Sequence, residues 1–309
     1  LDQVRGNFRA MLADKKGDQP FAYWFGPTNV HRKWIRGSGK RLWDIDPDQL
    51  KGKLPPFLPD VPTIREDFAD YLGEVMGFDM ALGVLIDELK KAGEFENTLI
   101  VVSGDHGPAG FPHGKCNLYD FGTRVSLSVS GPGVKGDRIV NDFVSLPDLA
   151  ATFLEAGKVQ VPVVMTSKSL WKTLSSEKVG FVDPNRTHVF VGRERHVAKA
   201  REGNLPYPQR AIRTKDFLFV INFKPDRFPL GDHYKLDTGK EPTIDQLQNN
   251  TFCTLPDEDA GPTKAWLVFN RKAPNVKRYF EHAYGKRPRE ELFDLRKDPH
   301  QMENVASDS

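Results

Sequence analysis

The sequence predicts an α/β fold: a mixed, mainly parallel sheet flanked by helices, with a smaller C-terminal α+β subdomain. Three observations predict it. A short apolar strand at residues 21–25 precedes a long helix and a second apolar strand at residues 98–102. That order implies a right-handed crossover joining parallel strands. Beyond Gly157 the texture changes, and residues 211–223 with residues 291–295 suggest an antiparallel sheet in a subdomain from about Leu205. The predicted division is therefore 1–204 for the main α/β unit and 205–309 for the subdomain. A chain of 309 residues suits about two domains at ~150 residues each.

The first strand, Phe-Ala-Tyr-Trp-Phe, is ended by Gly26-Pro27. Residues 34–62 hold Pro55, Pro56, Pro59 and Pro62, which enforce extended backbone and predict a surface loop. Thr63 and Glu66 fit a capping box at the start of the long helix. Ile64, Phe68, Leu72, Val75, Leu82, Leu85, Ile86 and Leu89 recur near helical spacing. Lys90 and Lys91 suit the helix's negative end, and Gly93 its left-handed stop. Residues 125–129 predict a third strand. Ser145 and Asp148 predict the cap of a helix reaching Ala156. Residues 189–192 predict a further strand, residues 193–209 a polar loop, and residues 225–262 a long loop or lid. Residues 265–284 are predicted partly helical.

Composition excludes several function classes. Lys and Arg total 44 against 42 Asp and Glu, a net charge of +2, which is no dedicated nucleic-acid footprint. No apolar run reaches the ~18 residues of a membrane span. An 11% aromatic content argues against disorder. Two cysteines, Cys116 and Cys253, make neither a disulfide scaffold nor a zinc knuckle.

The chemistry concentrates after the strand at residues 98–102, in Ser103-Gly104-Asp105-His106-Gly107. Ligands of open α/β sheets bind at the carboxyl ends of strands. There Asp105 can offer hard oxygen to a cation and His106 a nitrogen, or the segment is a turn with an Asx-type hydrogen bond.

Downstream stand Gly114-Lys115, then Tyr119-Asp120-Phe121-Gly122-Thr123-Arg124-Val125, and later Glu291-Leu292-Phe293-Asp294-Leu295 with Asp298-Pro299 and Asn304. In this order the motifs resemble the sulfatase family of the alkaline-phosphatase-like superfamily. Gly192-Arg193-Glu194-Arg195-His196, Tyr207-Pro208, Arg210-Ala211-Ile212-Arg213-Thr214 and Asn222-Phe223-Lys224-Pro225 resemble its heparan N-sulfatase (N-sulfoglucosamine sulfohydrolase) branch.

The resemblance implies hydrolysis of sulfate esters or sulfamates on a sulfated, heparan-like oligosaccharide or glycosaminoglycan. It implies Ca²⁺ held in part by Asp105 and His106, and a formylglycine nucleophile. Lys115 matches the residue that clamps sulfate. His31, with Val30 where the family carries Pro, matches the histidine that contacts sulfate and protonates the leaving group. His113, Arg193 and His196 lie in loops that would line the glycan pocket. Cys116 stands outside any Cys-x-Pro-x-Arg motif and reads as an unmodified thiol.

Neither Cys/Ser-x-Pro-x-Arg nor the family's paired aspartates occur in the chain, which begins with Leu1. The expectation is the C-terminal portion of a longer sulfatase, its nucleophile upstream and its fold incomplete at the N-terminus. The full-length form would be periplasmic, secreted or lysosomal. The alternatives are a phosphate-transferring member of the superfamily and a non-catalytic protein that binds sulfated glycans.

Overall fold

The computed structural model describes residues 1–307. Helix α1 (Asp2–Asp14) leads through coil to α2 (Ser38–Trp43) and α3 (Pro62–Lys91). Then follow β1 (Ile100–Ser103), α4 (Asp120–Thr123), β2 (Leu127–Ser130), α5 (Asp148–Ala156), α6 (Trp171–Leu174) and β3 (His188–Arg193). The hairpin β4 (Gln209–Thr214) and β5 (Phe217–Asn222) is followed by α7 (Ile244–Asn249), α8 (Pro262–Asn270), α9 (Pro274–Tyr284) and β6 (Glu290–Asp294).

The long helix forms as its apolar spacing predicts, but its start differs. Val61 is the N-cap, without a side-chain cap, and Pro62 occupies the first turn. Proline has no N–H to leave unsatisfied there, so the Thr63–Glu66 box is not needed. Ile64, Ala69, Ala81, Val84, Leu85 and Leu89 are buried along α3. Leu85 and Leu89 pack on Phe8 of α1. Arg5 and Arg9 of α1 converge on Glu88, whose side chain is buried.

The strand pairing corrects the expected order. β1 pairs with β2 antiparallel, and β3-β4-β5-β6 form one antiparallel sheet. Among the described residues the parallel contact is a single bridge, Val140 to Gly180. Residues 21–25 form no strand. Their aromatic side chains pack as loop instead: Phe21 and Phe25 against the core of Phe8, Leu85 and Leu89. Between them Trp24 is 90% exposed, so only the ends of the run are packed, and a short apolar run does not by itself make a strand.

The sheet β3–β6 begins at His188, so the expected boundary at 204/205 falls inside it. Its inner face, Ala211, Leu218, Val220 and Phe293, packs on Leu118 and Tyr119 from the loop after β1. The Tyr119 hydroxyl donates to Glu291 Oε2 at 2.7 Å, and Arg287 donates to Asn117 Oδ1 at 2.8 Å. Arg213 holds Asp120 by two hydrogen bonds of 2.8 and 2.9 Å. The sheet thus buttresses the segment that carries Lys115.

The expected lid is core. Leu230, Leu236, Leu247, Cys253 and Leu255 are buried and form one cluster with α8 and α9. Their apolar positions are too irregularly spaced to show helix or strand periodicity, so the segment read as loop.

Candidate active site

The site is built on two loops held by backbone contact. Residues 104–124 fold back on themselves. The Gly107 N–H donates to Gly122 O at 2.9 Å, and the Lys115 N–H donates to Pro108 O at 3.0 Å. A Cβ at Gly107 would lie 1.8 Å from Phe121 O, and one at Gly114 would lie 2.1 Å from Pro108 O. Only glycine fits such approaches.

The second loop carries His31 and is fastened by its neighbour. Arg32 donates to Asp67 of α3 through two hydrogen bonds of 2.9 and 2.8 Å, and through Nε to Ala109 O at 2.8 Å. Its guanidinium lies 3.7 Å from the Trp34 ring centroid, and the Trp34 indole donates to Val30 O at 3.0 Å. Asp67 also accepts from the Thr263 hydroxyl at 2.6 Å, tying α8 to the same point.

These loops bring Lys115 and His31 together, with Nζ 3.3 Å from His31 Nε2. His31 Nδ1 faces the Arg32 carbonyl. A proton on Nδ1 satisfies that carbonyl and leaves the Nε2 lone pair toward the lysine. Lys115 Nζ is also 3.3 Å from Asp259 Oδ2. Asp259 Oδ2 makes no hydrogen bond, so this contact is an ion pair, and the ammonium, with three N–H groups, keeps donor capacity for an anion.

Asp259 was not foreseen. It ends a run, Asp257-Glu258-Asp259, whose three carboxylates take different roles. Asp257 has a side chain 1% exposed and meets His196 Nδ1 at 3.5 Å and Arg201 at 3.0 Å. Burial alone would raise its pKa, but His196, Arg193 and Arg201 hold it below the usual carboxylate range. The Asp257 carboxylate, then the Cys116 side chain, favour the protonated ring and raise the His196 pKa to about 9. Glu258 is buried with Oε1 unpaired, and burial pushes its carboxyl up. A run of acids in a loop usually signals solvated surface, so the sequence carried no sign of this use.

The remaining predicted residues separate. His196 immediately precedes, in sequence, the residues Val197, Ala198 and Lys199 that with Phe252 line an open hollow of about 590 Å³. His113 is 1% exposed, stacks between Phe57 and Tyr119, and bonds His282 Nε2 at 2.8 Å. Burial, then the charges of His282 and Arg287, hold its pKa well below the ordinary value. It is a core residue and presents no face to a glycan. Arg193 donates to the backbone carbonyls of Cys116 and Pro229. It ties the sheet to the Lys115 loop instead of reaching outward.

Asp105 and His106 contact each other, and Lys115 contacts His31, as two separate pairs. The Asp105 carboxylate accepts the His106 N–H at 3.0 Å, and its other oxygen lies 3.3 Å from His106 Nε2. Among the described residues no three His, Cys, Asp or Glu side chains are grouped to hold a metal. Calcium takes about six to eight oxygens, so this pair does not by itself fit a calcium ion.

A family model described as Sulfatase matches residues 3–182. Human N-sulphoglucosamine sulphohydrolase is 29% identical over 274 residues, covering 84% of this chain and 48% of that protein. The N-acetylglucosamine-6-O-sulfatase of Bacteroides thetaiotaomicron is 28% identical over 217 residues, covering 68% and 37%. A solved structure from work on the metabolism of multiple glycosaminoglycans by Bacteroides thetaiotaomicron superposes with a TM-score of 0.64 at 18% identity, covering 99% of this chain and 54% of that one. The chain spans about half the length of such relatives, 48% and 54% in the first and last. The superposition gives it their alkaline-phosphatase-like α/β fold. With more than half of its residues inside the matched region, the chain belongs to the sulfatase family.

Proposed function

We propose that the protein to which this chain belongs is a sulfatase that hydrolyses sulfate esters or sulfamates on a heparan-like sulfated glycan. The observation that carries the proposal is the Lys115–His31 pair, 3.3 Å apart, at the end of the Gly-rich loop after β1. Sulfuryl transfer spreads negative charge over oxygens, and a positioned ammonium offsets it. In this reading Lys115 contacts the sulfate through its free N–H. His31 exchanges a proton at Nε2 with the departing oxygen or nitrogen, its ring fixed through Nδ1. His196 and the hollow beside it would hold the sugar. The names of the human and Bacteroides relatives, which act on glucosamine derivatives, support that substrate class.

Asp105, with His106 beside it, is proposed to contribute to a divalent-cation site, for Ca²⁺ by the family resemblance, that the pair alone does not complete. The nucleophile is assigned to no residue of this chain, because no Cys/Ser-x-Pro-x-Arg occurs in it. A periplasmic, secreted or lysosomal location is proposed from the same resemblance. Among the described residues no helix is long and apolar enough to cross a membrane.

The test offers the full-length protein glucosamine 2-N-sulfate, N-acetylglucosamine 6-sulfate and a phosphate monoester. Release of sulfate from either sugar supports the proposal, and the preferred sugar separates N- from O-sulfatase. Release of phosphate alone would assign the superfamily's phosphate-transfer chemistry. Binding without release would make the protein a sulfated-glycan receptor.

A further inference from the structure

Three side chains outside the Lys115–His31 pair carry buried donors that meet nothing. The Arg193 Nε, the Arg201 Nη1 and the Tyr207 hydroxyl have no hydrogen-bond partner. Arg201 and Tyr207 are 2% and 0% exposed. The three belong to one cluster. Arg193 and Arg201 donate to the same oxygen, the Pro229 carbonyl, at 2.7 and 2.6 Å. Both guanidiniums also lie against the Tyr207 ring, 5.3 and 5.2 Å from its centroid. Two buried cations therefore stand side by side, and each unmet donor costs free energy.

The charge around them is not balanced. The carboxylate that answers this cluster is Asp257, 3.0 Å from Arg201. It also meets His196 Nδ1 at 3.5 Å and accepts the Val197 N–H at 3.1 Å. One negative charge thus faces two guanidiniums and an imidazole. Burial, in first place, pulls the Arg193 pKa down, and the charges of Arg287 and Arg201 act in the same direction. A water molecule would satisfy the donors and leave the excess charge, whereas an anion answers both. A guanidinium is weakly hydrated and suits buried pairing with an anion. A singly charged halide gives up its water at lower cost than a doubly charged sulfate.

We propose that Arg193, Arg201 and the Tyr207 hydroxyl form a site for a monovalent halide, chloride in ordinary buffers, separate from Lys115 and His31. The ion would lock three segments together. Arg193 ends β3 and donates to the Cys116 carbonyl, beside Lys115. Arg201 holds the Phe228 and Pro229 carbonyls. Tyr207 leads into β4, and its N–H donates to Glu194 O at 2.8 Å. This inference does not rest on the sulfatase reading, because it needs no turnover.

The experiment follows thermal unfolding of this chain in sodium chloride, sodium bromide and sodium gluconate at equal ionic strength. Gluconate is too bulky for donors closed off from solvent. Chloride and bromide are expected to raise the midpoint above that in gluconate, by an increment that grows with the logarithm of halide concentration. Tyr207→Phe removes one donor and keeps the ring. Its halide affinity, read from the same titration, should fall by about tenfold, the weight of one hydrogen bond to a charged acceptor. Equal midpoints in halide and gluconate would mean that water meets these donors, and would overturn the proposal. An unchanged halide dependence in Tyr207→Phe would place the ion elsewhere and overturn it as well. Should Tyr207→Phe not fold, Arg193→Lys, which keeps the charge and loses the Nε donor, is read in its place with the same two outcomes.

Discussion

Lys115 Nζ stands midway between an imidazole and a carboxylate, 3.3 Å from His31 Nε2 and 3.3 Å from Asp259 Oδ2. Asp259 therefore offsets the charge that a sulfate would use. Asp259→Asn is expected to tighten binding of inorganic sulfate by about fivefold, the scale of one partly exposed ion pair. Lys115→Ala should weaken it by at least as much. Calorimetric titration with sulfate reads both, and equal affinities in all three proteins would remove Asp259 from the site.

Asp67 joins three elements: Arg32 beside His31, α3, and Thr263 of α8. The Arg32 and Asp67 side chains are 5% and 2% exposed. Asp67→Ala leaves a buried guanidinium without its partner, and is expected to cost about 3–5 kcal/mol in stability. Urea unfolding measures this. A loss below about 1 kcal/mol would show that the pair does not hold the loop.

Gly107 has no room for a side chain, with a Cβ placed 1.8 Å from Phe121 O. Gly107→Ala should force residues 104–124 apart and destabilise the chain by about 1–3 kcal/mol. A melting temperature equal to that of the unsubstituted chain would contradict the tight backbone packing described above.

Much of this was legible in sequence because it is local. The period of α3, the strand character of residues 211–223, and the Gly-rich loop bearing Asp105, His106 and Lys115 all follow from neighbours along the chain. The antiparallel pairing of β1 with β2 did not, since a short apolar run fixes no partner. The roles of Asp257 and Asp259 also escaped, because each acquires its meaning from residues far away in sequence. His113 and Arg193 were read as loop residues facing a ligand. Burial turned the first into core, and two backbone carbonyls occupied the second.

His196 links stability to pH. Its pKa is near 6.5 in the unfolded chain and about 9 in the folded one, raised chiefly by the Asp257 hydrogen bond. A raised folded pKa favours the fold below pH ~6.5, and the contribution is lost as pH rises through about 9. Because the ring is partly exposed, the contribution is discounted to about 1 kcal/mol. Unfolding free energy should fall between those pH values, and the fall should shrink in His196→Asn. A resonance assigned to His196 that titrates near 6.5 in the folded protein would refute the linkage.

The central claim is sulfate hydrolysis carried out with Lys115 and His31. Its most direct measurement is sulfate-ion release from glucosamine 2-N-sulfate by the full-length protein and by its Lys115→Ala and His31→Ala variants. The account predicts release by the unsubstituted protein and a loss of about 10²–10³-fold in the Lys115→Ala variant, with the fold unchanged by circular dichroism. His31→Ala should lose about 10²-fold or more. Undiminished release from both variants would contradict the account.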